Sequence, residues 1–561
     1  MSGTNLMSVG ARAMSAAQVQ LQTTGHNITN ASVDGYSRQQ VNLATADTQY
    51  SGAGYFGRGV DVTSVTRVVN GYLTDQVAQT GATAAMDKKR ADLLGQMESV
   101  FRTGTTGLGS SISQVFSAWS DVATNPADLS ARQVALQRAD DLASHFRNAS
   151  NQLDQLQGQI TQEVQTSAAS VSALAEQVAL LNKQIAGAAS AGQPPNDMLD
   201  QRDRVIDQIS QLVQVTRVEQ GGTAVDHLPE GSKPVNLFIG GGLALVVGGS
   251  AATLSAVSDP TDPTKVQLQV GLNGQSTPLV ASSLGGGALA GLLSVQDDDL
   301  KALRQRLDGL ASGVAAGLNQ QQALGTDQDG QPGQPLYVDS VGLTSNVTAG
   351  NIGLSSALKD QPRRLAAAGN PVTVQPHSLK QGDLTITSVS GSASPPITAR
   401  TNLVFTDASG SYEWRNAAGA TLASGTWSAG APISYAGLSF SVSGQPQAGE
   451  GFSVTPGAEN GNALLMAQLG DATLADGTWI KDGYARLISD VGTRSQGAQT
   501  AATVSAGVND QAKSQLTSQT GVNLDEEAAK LIQYQQSYQA AAKVLQVAQR
   551  IFDTLLSATG G

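Results

Sequence analysis

Residues 523–556 read NLDEEAAKLIQYQQSYQAAAKVLQVAQRIFDTLL, and their period decides the fold. Leu524, Ala528, Leu531, Tyr538, Ala542, Leu545, Phe552 and Leu556 recur at alternating spacings of four and three, with Gln535 and Gln549 at the two missing beats. Tyr534, Ala541, Ala548 and Leu555 widen the same face, and neither proline nor glycine interrupts residues 522–559. Such a seam buries almost nothing on a lone helix, so it calls for partner helices. Asn523 and Glu526 have the spacing of a capping-box start, and Asp525 and Glu527 sit where the helix dipole favours negative charge. Unpartnered, this helix is sticky and disordered.

A second helical pattern opens the chain. Leu6, Val9, Ala13, Ala16 or Ala17, and Leu21 share one side among small, uncharged neighbours. It runs into HNITNASVDGYSRQ, residues 26–39. Asp34-Gly35 marks a tight turn, because glycine takes the positive φ that the turn demands. Val41 and Leu43 alternate as a strand, and His26 reads as a polar turn residue. Small side chains at Ala13, Ala16, Ala17, Ala541 and Ala542 permit two helices to approach closely.

Between these ends the period changes twice. From Leu129 to about Ala186 one helical pattern runs through Leu142, Phe146, Ala149, Leu153, Leu156 and Ile160. After a stutter it resumes through Val164, Ser167, Val171, Leu174, Val178, Leu181 and Ile185. Its length, roughly 85 Å, suits the spine of a rod-like domain. Asn125-Pro126-Ala127-Asp128 supplies its start and Gly192-Gln193-Pro194-Pro195 its stop, after which Asn196 caps a return helix through Leu199, Ile206, Ile209 and Val213. Past residue 216 the period falls to two. Val235 to Ile239 and Leu243 to Val247 flank Gly240-Gly241-Gly242 as a hairpin, and Val266, Leu268 and Val270 form another strand. The triple glycine lacks the Lys-Ser/Thr and the helix of a phosphate loop. Leu300, Leu303, Leu307, Leu310 and Val314 form a helical stripe, with Asp297-Asp298-Asp299 near its start as a solvated acidic turn. Residues 366–456 are rich in Gly, Ser, Thr and Pro, and Leu384-Thr385-Ile386, Leu403-Val404-Phe405 and Leu438 to Val442 are short strands of an all-β insert. Helical composition returns near Asn462.

The fold class is therefore multidomain α+β: a terminal α-helical coiled-coil core, a long-helix rod-like domain and β-rich inserted outer domains. The expected partition pairs 1–45 with 505–561 in the core, and joins 46–215, 287–365 and 457–504 in the helical rod. Residues 216–286 and 366–456 are the β-rich domains. The 561 residues fit about three to four domains, and 40% hydrophobic content suffices for real cores.

Composition excludes several functions. The absence of cysteine removes disulfide frameworks and thiolate metal sites, and suits a chain that crosses between reducing and oxidising compartments. A net charge of -12 without a basic stripe argues against nucleic acid. The apolar runs are too short to span a bilayer, and the start has neither the basic nor the apolar region of a cleavable signal peptide. The four histidines, His26, His145, His227 and His377, have no metal-binding spacing, and no nucleophile elbow appears. Asp327-Gln328-Asp329-Gly330 lacks the later glutamate of a calcium loop, whose place Leu336 takes, and reads as a turn. Asn27, Asn30, Asn148 and Asn346 fall in glycosylation sequons, which are short enough to arise by chance. The expectation is no catalytic, cofactor or metal site.

The string from His26 to Gln39 resembles the N-terminal motif of the flagellar axial proteins, the rod, hook and hook-associated family. Its Gly35-Tyr36-Ser37-Arg38-Gln39 ending, residues 119–132, Asn196 to Asp203, and Gly521 to Glu527 are similar to the hook-associated protein 1 branch. Rod and hook proteins have no comparable long helical segment. The resemblance is strong in roughly 1–215 and 459–561 and weak in the β inserts. It implies a structural subunit of the flagellum at the junction of hook and filament, built by self-assembly through its paired terminal helices. Implied partners are further copies of the chain, the hook protein, the next junction protein on the filament side, and a cytoplasmic export chaperone at the C-terminal helix. Export through the flagellar type III apparatus is implied as well. On that reading the assembly residues are Leu6, Asn27, Asn30, Gly35, Tyr36 and Arg38, with Leu531, Tyr538, Leu545 and Phe552. The alternatives are another axial subunit, of hook or rod, or a secreted adhesin or enzyme displayed by its β inserts.

Overall fold

The computed structural model describes residues 2–51, 54–101, 107–190, 193–222, 228, 231–272, 274–369, 372–376, 384–391, 397, 399–471 and 480–559. His227, His377 and Gly192, named above, lie outside these, as do the side chains of Leu555 and Leu556. The helices are α1 Ser2–Asn30, α2 Gly71–Phe101, α3 Leu108–Thr124, α4 Leu129–Ala189, α5 Asn196–Leu212, α6 Ala288–Ser294, α7 Lys301–Leu324, α8 Gly461–Gln468, α9 Ile480–Thr520 and α10 Leu524–Thr559. The chain divides into two compact units. One comprises Met1–Leu94, Gln157–Asp298 and Ser495–Gly561, the other Gly95–Leu156 and Asp299–Arg494.

In the first unit α1 and α10 pack against each other. Strands Gln39–Thr45 and Val60–Arg67 pair antiparallel over α1, and Gln49–Ser51 with Gly54–Phe56 continues that hairpin to its tip. A four-stranded sheet (Thr216–Glu219, Val235–Ile239, Leu243–Val247, Ser250–Ala251) and a three-stranded one (Gln275–Leu279, Val266–Leu272, Thr253–Ser258) follow. The hairpin read at Gly240-Gly241-Gly242 is present, and all three glycines take positive φ (53°, 79° and 123°). Polar side chains of α4 hold the sheets. Asn182 bonds Val235 O at 2.8 Å and Gly248 O at 2.7 Å, Ser172 bonds Leu254 O at 2.9 Å, and Gln157 meets Gln296 at 3.1 Å.

The long helix runs three residues past its expected end, Ala186 against an observed Ala189. Its first stripe, from Leu142 to Ile160, is buried as read. Beyond Val164 the seam is carried by Ala168 and Ala175, both buried, in place of Ser167 and Leu174, which are half-buried. The stutter is thus one four-residue step longer than read, because small alanines let the partner elements close over the helix. Two capping assignments also change. Asp128, not Asn125, caps α4 through Ser130 N at 2.8 Å, and Asn196 turns its amide to Val65 O at 2.8 Å instead of capping α5.

In the second unit Leu300, Leu303, Leu307, Leu310 and Val314 are buried as expected. Asp297–Asp299 lies on a wide helical turn, Val295–Leu300, between α6 and α7. Asp299 is not solvated, as had been expected, since its buried carboxylate pairs with Arg494 at 3.0 Å. The described strands between 372 and 456 form a sandwich of a five-stranded and a three-stranded sheet around Leu403, Phe405, Trp414, Phe440 and Val454. Trp414 stacks on Tyr435 with centroids 4.3 Å apart. Asp327 is a turn residue, its Oδ1 accepting the amides of Asp329 and Gln331 at 2.9 and 2.8 Å.

Candidate assembly site

The segment from His26 to Asn30 is helical and extends α1, which corrects the turn expected there. His26 accordingly stands on a helix, its ring edge-on to Tyr36 with centroids 5.7 Å apart. The reversal begins after Asn30, whose carbonyl accepts Val33 N at 2.9 Å and whose side chain reaches back to His26 O at 2.9 Å. Gly35 takes φ +71°, and a Cβ there would stand 2.4 Å from Arg204 Cγ, so both the turn and its packing require glycine.

This reversal closes a knot around Asn27, which is 1% exposed. Asn27 Oδ1 accepts Tyr36 OH at 2.8 Å and Gln39 N at 2.9 Å. Its Nδ2 donates to Gln39 O at 2.9 Å and to Glu527 Oε2 at 3.0 Å. Every hydrogen-bonding position of the amide is used, and one of them crosses to α10. Glu527 is itself buried, and its other oxygen accepts Lys530 Nζ at 3.0 Å. Arg38 adds two ties, from its N to Thr520 O at 2.8 Å and from Nη1 to Glu526 Oε2 at 3.2 Å. Lys530, and then Arg38, hold the Glu526 carboxyl below its ordinary range. Asn523 caps α10 as read, accepting Asp525 N at 3.0 Å, but Glu526 turns outward to these cations and does not complete a capping box.

A second string converges on the same place. Ser37 N donates to Asp200 Oδ2 at 3.2 Å, and Gln39 Nε2 to Asp197 Oδ1 at 3.1 Å. Arg67 reaches Asp200 at 2.9 Å and Asp203 at 2.6 Å, while Arg217 joins Asp203 at 3.1 Å to Asp75 at 2.8 Å. Burial pushes the Asp200 carboxyl up more strongly than Arg67 pulls it down. Burial pushes Asp203 up too, but there Arg67, Arg217 and Arg202 outweigh it and the carboxyl lies below its usual range. Burial lowers Arg202 to about 10, while its Nη1 donates to Lys233 O at 2.9 Å.

The pair α1 and α10 runs antiparallel, Asn27 lying against Glu527 and Gly10 against Leu545. A Cβ at Gly10 would stand 3.4 Å from Leu545 N, so the two backbones nearly touch. The contact face of α10 is Glu527, Ala541 and Ala548, all buried, with half-buried Leu531, Tyr534 and Leu545 between them. The seam read from the sequence is thus rotated. Its centre lies at the edge read as Tyr534, Ala541 and Ala548, so Leu524 and Ala528 are exposed and Tyr538 and Phe552 stand at its rim, while Gly10 lets Leu545 come close. Leu6 is likewise partly exposed. Along the flank of α10, next to the buried Ala541 and Ala548, Val544, Val547 and Ile551 are exposed at spacings of three and four.

Asn27, Asn30, Gly35, Tyr36, Arg38, Leu531 and Leu545 therefore gather in the knot and the seam, while Leu6, Tyr538 and Phe552 border it. Gly10 was missed although it lies seven residues before Ala17 on the same helical face. Glu527 was read as a dipole charge, and Arg67 carried no local signal. Among the described residues no group of His, Asp or Glu could hold a metal ion, and no helix is long and apolar enough to cross a membrane.

Sequence models of three families match in order: flagella basal body rod protein over residues 7–36, flagellar hook-associated protein FlgK helical domain over 94–337, and flagellar basal body rod FlgEFG protein C-terminal over 513–558. Flagellar hook-associated protein 1 of Salmonella typhimurium is 30% identical over 571 residues, spanning 97% of this chain and 98% of its own. The Escherichia coli protein of that name is 26% identical over 97% of this chain and 98% of its own, and the Bacillus subtilis one 26% over 98% and 97%. The solved structure of the flagellar hook junction protein FlgK from Burkholderia pseudomallei superposes on 78% of this chain and 99% of its own, with a TM-score of 0.61 at 23% identity, and so shares the fold.

Proposed function

The chain belongs to the flagellar hook-associated protein 1 family, and we propose that it is the structural subunit that joins hook to filament. It works by geometry rather than by catalysis. The α1–α10 pair forms the inner wall as a coiled core, and the exposed stripe of Val544, Val547 and Ile551 packs against neighbouring copies. That stripe is the observation that carries the reading, since a row of exposed aliphatic side chains along the flank of an already paired helix suits contact with a further helix. The hook protein lies on one side and the next junction protein on the other. A cytoplasmic chaperone covers α10 before export through the flagellar type III apparatus, and the four-part partition with outward β-rich domains follows from the same reading.

Deletion of the gene, electron microscopy of the cells and assay of flagellin in the medium test this. Bare hooks with flagellin lost to the medium are expected. Missing hooks would point to a rod or hook subunit, and normal filaments would refute an axial role.

A further inference from the structure

A cavity of about 760 Å³ opens in the first unit beside the knot, within the usual size of a ligand pocket. Val33, Val77, Ile206 and Leu516 supply apolar wall, and Asp34 and Asp207 supply acceptors. Nothing in the knot or the helix seam requires this space. Elsewhere in the same unit the long hairpin carries a directly opposed pair, Tyr50 and Tyr55, one step before its last described pair, Ser51 with Gly54, and their ring centroids are 5.2 Å apart. The two residues are 65% and 76% exposed. Two exposed aromatics, tilted at 60° to each other near the tip of a two-stranded ribbon, leave apolar ring surface in water and have the shape of an interface anchor.

Cavity and tip cannot meet within one chain. The hairpin lies along α1 with Gly59 against Val9 and Asp61 paired to Arg12, so its tip is at the start of α1. The cavity lies at the end of α1, beside Ala31 to Ser37. The helical rise from Val9 to Ala31 is about 33 Å. Counted along the ladder, from the Gln39–Arg67 pair to the Tyr50–Tyr55 pair, the separation is about 36 Å. A protrusion and a recess at opposite ends of one layer make a head-to-tail contact, which repeats from copy to copy.

We propose that the Tyr50–Tyr55 tip of one copy docks in the cavity beside the Asn27 knot of a second copy. The rings fill the space between Val33, Val77, Ile206 and Leu516, and the phenol hydroxyls donate to Asp34 and Asp207. Neighbouring copies are then displaced by about 30 Å along α1. The reversal at Gly35 serves as the wall of a socket as well as a turn. The inference rests on the reading that copies of this chain assemble with one another.

The chain has no native cysteine, which makes the test clean. Flagella are isolated from cells expressing Thr48→Cys/Gln208→Cys, in which the exposed Thr48 lies two residues before Tyr50 and both rings are kept, treated with a short bis-maleimide and blotted for the chain. A ladder of multimers is expected from the double variant, dimers alone from cells co-expressing the two single variants, and monomer from each single variant by itself. Monomer alone, or an intramolecular link, from flagella that contain the double variant overturns the docking and leaves the junction role standing. Absence of the wild-type chain from isolated flagella sinks the junction role instead. Independently, Tyr50→Ala/Tyr55→Ala should lower incorporation at least about tenfold while the thermal unfolding of the purified chain is unchanged. Incorporation of that variant at the wild-type level overturns the proposal.

Discussion

Replacing Asn27 by alanine should open the contact between α1 and α10 without unfolding the rest of the chain. The amide makes four hydrogen bonds, two by Oδ1 and two by Nδ2, and its removal strands Gln39 N, Gln39 O, Tyr36 OH and the buried Glu527 carboxylate. A buried polar group left without its partner costs about 1–3 kcal/mol. Tyr36 and Gln39 are half-buried and regain some water, and Glu527 keeps Lys530. The sum is then about 3–5 kcal/mol, or roughly two to three and a half powers of ten in the local opening equilibrium. Hydrogen exchange followed by mass spectrometry on the full-length chain reads this directly. Peptides over 524–535 should exchange faster by that factor, while peptides over the β strand at 438–443 keep their wild-type rate. Asn27→Asp should be worse than alanine, because it sets a second carboxylate where Nδ2 now meets Glu527 Oε2 at 3.0 Å. A change below about tenfold, or an equal change in both regions, would refute the knot as the clasp of the helix pair.

Gly10 distinguishes contact from propensity. Gly10→Ala meets Leu545 N at a tolerable 3.4 Å and should gain up to about 1 kcal/mol of helix stability, whereas Gly10→Leu should cost about 1–3 kcal/mol and lower incorporation into flagella. Equal incorporation of both variants would show that the backbones need not touch. Gly35→Ala should cost about 1–3 kcal/mol by thermal unfolding, because alanine is strained at φ +71° and its Cβ strikes Arg204. Adding Arg204→Ala should recover only the clash, and full recovery would mean that the dihedral is not the constraint. Asp203 ties stability to acid pH. Its folded carboxyl lies below the unfolded value of about 3.9, so its contribution is present above that pH and lost as pH falls through the folded value. Urea unfolding from neutral to acid pH should therefore show a shallower acid limb for Asp203→Asn, and an unchanged slope would remove the Arg67–Asp203–Arg217 cluster from the account.

The sequence was most legible where one period persists. A helix of 61 residues and strands that alternate strictly announce themselves, since each residue repeats the information of its neighbours. The site was legible in composition but not in geometry. Asn27, Gly35, Tyr36 and Arg38 stood out as a string, yet nothing local told that Asn27 would spend one bond on Glu527, five hundred positions away. The rotation of the α10 seam has the same origin. The seam was read with Leu524 to Leu556 at its centre and Tyr534, Ala541, Ala548 and Leu555 at its edge, but two helices come closest where side chains are smallest. The face with Ala541 and Ala548 therefore turned inward, and the bulky residues were left to the rim and to the outside.

That division assigns separate tasks to the two sides of one helix. The inner face of α10 is specified by polar exactness at Glu527 and by close approach at Gly10, both of which fix register within the molecule. The exposed flank carries Val544, Val547 and Ile551 with no such lock, and an apolar row without polar register marks tolerates rotation and sliding against a neighbour. A subunit that joins two different structures, hook and filament, is served by that combination. Its own helix pair must hold one register while its lateral contacts accept more than one. A charge placed in the exposed row, as in Val547→Asp, should therefore impair assembly while leaving exchange at 524–535 unchanged. Asn27→Ala should show the opposite order of effects, with exchange disturbed first and incorporation lost only as a consequence. If the exposed-row charge accelerated exchange at 524–535 as much as Asn27→Ala does, the two faces would be one cooperative unit and the separation of tasks would fail.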